Sequence, residues 1–134
     1  MIVLDANILV AYWSTDDAHA DAAFEVLDTE DDLVLHPATL AETLVWPVRR
    51  SEEQAALTDL TRLGIERHEP LPDEPLNVAR LRAETRLKLP DAYVLATAIA
   101  HEATLATLDA RLASAARARS VAVIGIPTAS GPSR

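Results

Sequence analysis

The chain has no cysteine, one lysine and three glycines among its 134 residues. Without cysteine there is no disulfide, no thiolate zinc site and no cysteine nucleophile. A small domain built without disulfides fits the cytosol, and a cytoplasmic location is expected. The glycines, Gly64, Gly125 and Gly131, form neither G-x-G-x-x-G nor a P-loop. That excludes a backbone phosphate cradle, and with it most nucleotide-cofactor readings. Apolar runs are broken by polar residues well short of a membrane span. Met1-Ile2-Val3-Leu4-Asp5 offers no basic region followed by an apolar stretch, so no signal peptide is expected.

Positive charge is also scarce. Twelve basic residues face 21 acidic ones, for a formal net charge of −9. Taken alone, this opposes binding to a polyanion and favours cations or a basic partner. An acidic protein can still work on nucleic acid when metal ions bridge its carboxylates to phosphate. Apart from Lys88, the basic residues are all arginine, whose fork suits phosphate.

A hydrophobic content of 49% suits one compact domain, placed here at 1–126, followed by a tail at 127–134 expected to be mobile. No internal repeat or dividing linker is visible. Ile2–Asp5 reads as a first strand and Asn7–Trp13 as a helix. Ser14-Thr15-Asp16-Asp17 reads as a turn before a second helix to about Leu27. Leu33–His36 is a short buried strand. Pro37 suits the first turn of a helix that Pro47 is expected to end. Its predicted core stripe is Leu40, Ala41, Leu44, Val45 and Val48, with Glu42 on a flank. Ser51-Glu52-Glu53-Gln54 starts another helix, and Gly64 stops it.

Ile65–Glu69 reads as a short strand, and Pro70, Pro72 and Pro75 as a loop. A helix covers about Leu76–Leu87, and Pro90 separates it from an almost wholly apolar, buried helix at Asp91–Glu102. Leu105–Leu108 is a strand, Ala110–Ala118 a helix and Val121–Ile124 a last strand. Short apolar strands alternating with helices predict an α/β domain whose parallel sheet is covered on both faces.

In such a sheet, ligands bind at the carboxyl edge of the strands. Asp5 and Asp109 fall there by position, Asp91 opens the apolar helix and Glu42 lies on the helix after the second strand. Each acid also has an ordinary structural reading. Asp5, Asp91 and Asp109 precede helices, where aspartate caps backbone N–H groups, and Glu42 suits a solvated flank. Gathered, they would repel one another unless protons or cations neutralised them. Hard oxygen ligands select magnesium or manganese, and two such ions can hold both oxygens of a phosphoryl displacement. Thr107, two residues before Asp109, is placed to orient that carboxylate.

Three segments carry more information together. They are Ile-Val-Leu-Asp-Ala-Asn-Ile-Leu at 2–9, Leu-Pro-Asp-Ala-Tyr-Val-Leu-Ala-Thr-Ala at 89–98 and Ala-Thr-Leu-Asp-Ala-Arg-Leu at 106–112. With Thr39-Leu40-Ala41-Glu42 between them, the chain resembles the PIN-domain ribonucleases over nearly its whole length. The resemblance is nearest to the VapC toxins of toxin–antitoxin pairs. It implies a three-layer α/β/α domain with a central parallel sheet. It also implies a metal-dependent endoribonuclease in which Asp5, Glu42, Asp91 and Asp109 bind one or two Mg2+ or Mn2+ ions. Asp5 and Asp91 are the expected direct ligands, and Glu42 ligates or orients the attacking water. Asn7 and Thr107 match family positions that orient neighbours. An RNA substrate, a homodimer and a cognate VapB-type antitoxin occupying the active-site groove are the implied partners.

Other features weigh less. His19, His36, His68 and His101 are scattered, none forms H-E-x-x-H, and surface or satisfied roles are expected for them. Trp46 is either an exposed partner anchor or folded into the core through Pro47. Arg49, Arg50, Arg111, Arg117 and Arg119 are either a positive rim for RNA or solvated helix faces, the latter favoured. A receiver-type signalling domain would need an acid pair after the first strand and a lysine near a late strand. Asp5 has no neighbouring acid, and Lys88 precedes the buried helix. A non-catalytic PIN-like interaction module is opposed by the four intact acids.

Overall fold

The first strand sits at the centre of the molecule. In the computed structural model, which describes residues 1–14 and 16–125, β1 (Ile2–Leu4) pairs with β2 (Leu33–Leu35) on one side and β4 (Thr104–Ala106) on the other. β3 (Glu66–Arg67) extends the sheet beyond β2, and β5 (Val123–Ile124) extends it beyond β4. All pairs are parallel and the order is β3-β2-β1-β4-β5. The chain builds outward from β1 to one side, then crosses over it to build the other. The carboxyl ends of β1 and β4 therefore flank a topological switch point, where such sheets open a crevice. The expected tail at 127–134 lies outside the described residues.

Helices α1 (Ala6–Trp13), α2 (Ala20–Thr29), α3 (Pro37–Thr43), α4 (Val45–Arg49) and α5 (Glu53–Arg62) occupy the first half of the chain. The second half contributes α6 (Glu74–Thr85), α7 (Leu89–His101) and α8 (Ala110–Ala118). Alternation along the strands splits the core in two. Ile2, Leu4, Leu33 and Leu35 pack with Ile8, Leu9 and Leu27 of the first-half helices. Val3 and Leu105 point the other way, against Leu81, Leu95 and Leu112. Each fully buried leucine contributes roughly 1.5–3 kcal/mol by leaving water. α7 buries Ala92, Val94, Leu95, Ala96, Thr97 and Ala98, as its apolar composition predicts.

Prolines behave differently from expectation at two places. Pro47 does not end α3, which closes at Thr43; it lies in the first turn of α4, where a missing N–H costs nothing. Pro75 likewise sits inside the first turn of α6 and not in a loop. α6 and α7 are separate helices, as expected, with Pro90 in the first turn of α7. The break at Leu44 also moves the buried stripe. Thr39, Leu40 and Thr43 are buried and Leu44 is half-buried, whereas Ala41, Val45 and Val48 are exposed. The Thr43 hydroxyl is satisfied internally, donating to the Thr39 carbonyl at 2.8 Å. Trp46 is 58% exposed, so it is not folded into the core. The guanidinium carbons of Arg49 and Arg50 lie 5.4 and 5.9 Å from its ring centroid.

Candidate active site

Asp5 follows β1 directly and is buried, 4% exposed. Its Oδ1 accepts the Ala6 backbone N–H at 2.8 Å, which caps α1. Its Oδ2 accepts the Thr107 hydroxyl at 2.7 Å. Thr107 was expected to orient Asp109; its hydroxyl proton goes to Asp5 instead. The same oxygen accepts the backbone N–H of Asp109 at 3.0 Å and the Asn7 side-chain amide at 3.4 Å. One donor and two acceptor positions of the hydroxyl are thus all used. Asn7 closes the loop, its Oδ1 accepting the Leu108 N–H at 3.1 Å. Asn7 and Thr107 thereby clamp the end of β1 to the end of β4.

Asp109 caps α8, its Oδ1 accepting the N–H groups of Arg111 and Leu112 at 2.8 and 3.3 Å. Asp91 lies in the first turn of α7, half-buried, where the helix dipole favours negative charge. Glu42 projects from α3 and is exposed. Capping and clustering coexist here. A cap occupies one oxygen of Asp109, and each oxygen of Asp5 accepts one bond, so lone pairs remain free for a cation.

Electrostatics links the four. The Asp5 carboxyl is pushed up to about 6 from 3.8, first by burial, and further by the charges of Asp91 and Glu42; the bonds from Thr107 and Ala6 oppose the rise. The Glu42 carboxyl is raised by desolvation and by Asp91, while Lys88 lowers it. The Asp91 carboxyl is raised by desolvation and then by Asp109, against the pull of Lys88 and Arg111. Acids from four separate segments are thus linked: Asp91 and Glu42 act on Asp5, Asp91 on Glu42 and Asp109 on Asp91. An all-oxygen donor set of this kind fits magnesium or manganese.

Lys88 is the functional candidate that sequence reasoning passed over. It is exposed and immediately precedes the first turn of α7, next to Glu42 and Asp91. Its place beside Leu89-Pro90-Asp91 was the available signal. Arg111 also reaches this field, beside Asp91. A groove of about 1030 Å³, lined by Val10, Trp13, Thr43, Trp46 and Arg50 among others, has none of the four acids in its lining. The acids line an edge, not that groove. The histidines are not all scattered in space: His36 and His68 meet at Glu74, and His101 meets His68. Among the described residues, no helix is long and apolar enough to cross a membrane.

Comparison with known proteins gives the family. A family model described as "PIN domain" matches residues 2–118. Ribonuclease VapC29 of Mycobacterium tuberculosis is 32% identical over 118 residues, covering 84% of this chain and 88% of its own. Among solved structures, a toxin–antitoxin complex from Klebsiella pneumoniae aligns with a TM-score of 0.72 and 26% identity, covering 85% of this chain and 91% of that one. VapC20 of M. tuberculosis, a sarcin–ricin-loop-cleaving toxin, aligns at 0.71 with 18% identity, covering 86% and 95%, and bears on the fold alone.

Proposed function

Because the chain belongs to the PIN-domain family, as a ribonuclease toxin of the VapC type, we propose that Asp5, Glu42, Asp91 and Asp109 hold one or two magnesium or manganese ions and hydrolyse RNA phosphodiesters there. The observation that carries this reading is the gathering of the four acids near the β1–β4 edge, where Asp91 and Glu42 raise the Asp5 carboxyl, Asp91 raises Glu42 and Asp109 raises Asp91. A carboxylate disfavoured by like charges beside it is stabilised by a cation. Bound metal supplies a water of lowered pKa and charge stabilisation for the leaving oxygen.

The chain's own residues do the positioning. Asp5 and Asp91 are the direct ligands. Thr107 and the Ala6 N–H hold the Asp5 carboxylate in one orientation, and Asn7 braces Thr107. Glu42 ligates or orients the attacking water. Lys88 and Arg111, beside the acids, offer positive charge to the RNA phosphates. A cognate antitoxin and a second copy of the chain are the proposed protein partners. Support for the antitoxin comes from the likeness to a toxin–antitoxin complex and from the chain's net charge of −9, which suits a basic inhibitory segment.

The test is RNA cleavage by the wild type, Asp5→Asn and Asp91→Asn in magnesium, manganese or EDTA. Both variants should fall to background, and EDTA should silence the wild type. Undiminished cleavage by both variants would overturn the site. Cleavage in EDTA would overturn the mechanism.

A further inference from the structure

Glu74 stands at the centre of a second titratable cluster. His36 directly follows β2, His68 follows β3, Glu74 opens α6 and His101 ends α7. Glu74 Oε1 lies 2.7 Å from His36 Nε2, and Oε2 lies 3.1 Å from His68 Nε2. His68 Nδ1 is 2.8 Å from His101 Nε2. The rings of His36 and His68 stack with centroids 5.5 Å apart. One ligand atom each from His36, His68 and Glu74 lies within 4.8 Å of the other two. His36 and His68 are 4% and 6% exposed.

Hydrogen bonding fixes the proton of His36. The Ala38 N–H donates to His36 Nδ1 at 2.9 Å, so His36 carries its proton on Nε2 and donates it to Glu74. His68 donates from Nε2 to the other carboxylate oxygen, and one proton lies between His68 Nδ1 and His101 Nε2. Among the described residues, the ion-pair partners of Glu74 are His36 and His68. Two imidazole nitrogens and a carboxylate thus converge in one enclosed place, with no arginine or lysine among the described residues paired to the acid.

We propose that His36, His68 and Glu74 bind a divalent transition-metal ion of the zinc or cobalt class, separately from the four acids. This donor set suits a borderline ion, whereas the all-oxygen edge suits magnesium or manganese. Water completes the coordination. Metal on the two Nε2 atoms replaces the hydrogen bonds from His36 and His68 to Glu74 by metal–ligand bonds. His68 then donates from Nδ1 to His101 Nε2, and His101 becomes the outer partner that orients a metal-bound imidazole. His36 moves its proton to Nδ1, so the bond from the Ala38 N–H is given up too, and any proton beyond one per ring leaves to solvent. The ion takes over the fastening that the histidine–carboxylate hydrogen bonds give, tying the ends of β2 and β3 to the start of α6.

The experiment uses the full chain carrying Asp5→Asn and Asp91→Asn, so that the acidic edge does not compete. After EDTA treatment it is titrated with cobalt chloride. One equivalent should bind with the visible absorption of a four-coordinate site, be displaced by zinc, and raise the melting temperature. Adding His68→Gln or Glu74→Gln should remove that absorption. X-ray absorption of the wild type loaded with one zinc equivalent should show two imidazoles, and this reading does not depend on any variant folding. An all-oxygen zinc shell, or a cobalt signal absent from the starting chain or unchanged by both added substitutions, would overturn the proposal. Such a result would leave the ribonuclease reading intact.

Discussion

The Thr107 hydroxyl donates to Asp5 Oδ2 at 2.7 Å, joining side chains 102 residues apart where β1 and β4 end side by side. This bond opposes the burial that pushes the Asp5 carboxyl up to about 6. Replacing Thr107 with valine keeps the shape and removes the donor. The Asp5 pKa should rise further, and RNA cleavage near neutral pH should fall about tenfold or more, since a hydrogen bond to a charged group contributes roughly 1.5–3 kcal/mol. NMR titration of Asp5 and rates in manganese check both parts. An unchanged pKa would show that the bond does not govern Asp5.

Asp5 also sets a pH dependence of stability. Its carboxyl is higher in the folded chain than the ordinary 3.8, so folding favours the protonated form. The associated stability is full below pH 3.8 and is lost as pH rises through about 6. Metal-free Asp5→Asn should therefore be more stable than the wild type above that window, by up to about 3 kcal/mol, and the advantage should shrink towards pH 4. Urea unfolding in EDTA measures it. Added manganese should reverse the order by stabilising the wild type alone. A variant no more stable than the wild type near neutral pH would contradict the burial argument.

Lys88 lowers the pKa of both Glu42 and Asp91. Lys88→Met should raise both, so the acidic limb of the rate–pH profile should move to higher pH at fixed manganese. The direction follows because metal binding needs ionised carboxylates. A limb that stays in place would remove Lys88 from the site.

Gly125 follows β5 with φ of 100°, and a Cβ there would lie 2.8 Å from the Thr107 carbonyl oxygen. Alanine at this position meets both an unfavourable backbone angle and the strand that carries Thr107. Gly125→Ala should cost at least about 1 kcal/mol of stability. Cleavage should fall as well, because Thr107 positions Asp5. Chemical denaturation alongside the cleavage assay separates the two effects, and a neutral substitution would show that β5 yields without disturbing β4.

Much of this architecture is visible in local pattern. Ile2-Val3-Leu4 and Leu33-Val34-Leu35 are short and wholly apolar, which only a two-sided sheet interior accepts. α7 is apolar on most sides and accordingly buried. The helix stripe at 40–48 was misjudged because one continuous helix was assumed. The break at Leu44 turns Val45 and Val48 outward, and no periodicity argument detects a break supplied by tertiary packing. That the Thr107 hydroxyl donates to Asp5 and not to the Asp109 carboxylate escaped the sequence for a related reason. Which side chain meets Thr107 depends on the pairing of Leu4 with Ala106, a register between distant strands.

The sequence by itself determined the class of fold, because short apolar strands alternating with helices are local facts of composition and spacing, and it singled out the four acids as candidates through the family resemblance of the segments around them. It also determined the negative charge that makes cations the natural ligands. Only the tertiary structure decided which groups meet. Placing β4 beside β1 brings Thr107 and Asn7 to Asp5, and placing β3 beside β2 brings His68 to His36 across Glu74. Strand order is set by how all the helices bury their faces at once, a collective property that no single segment encodes.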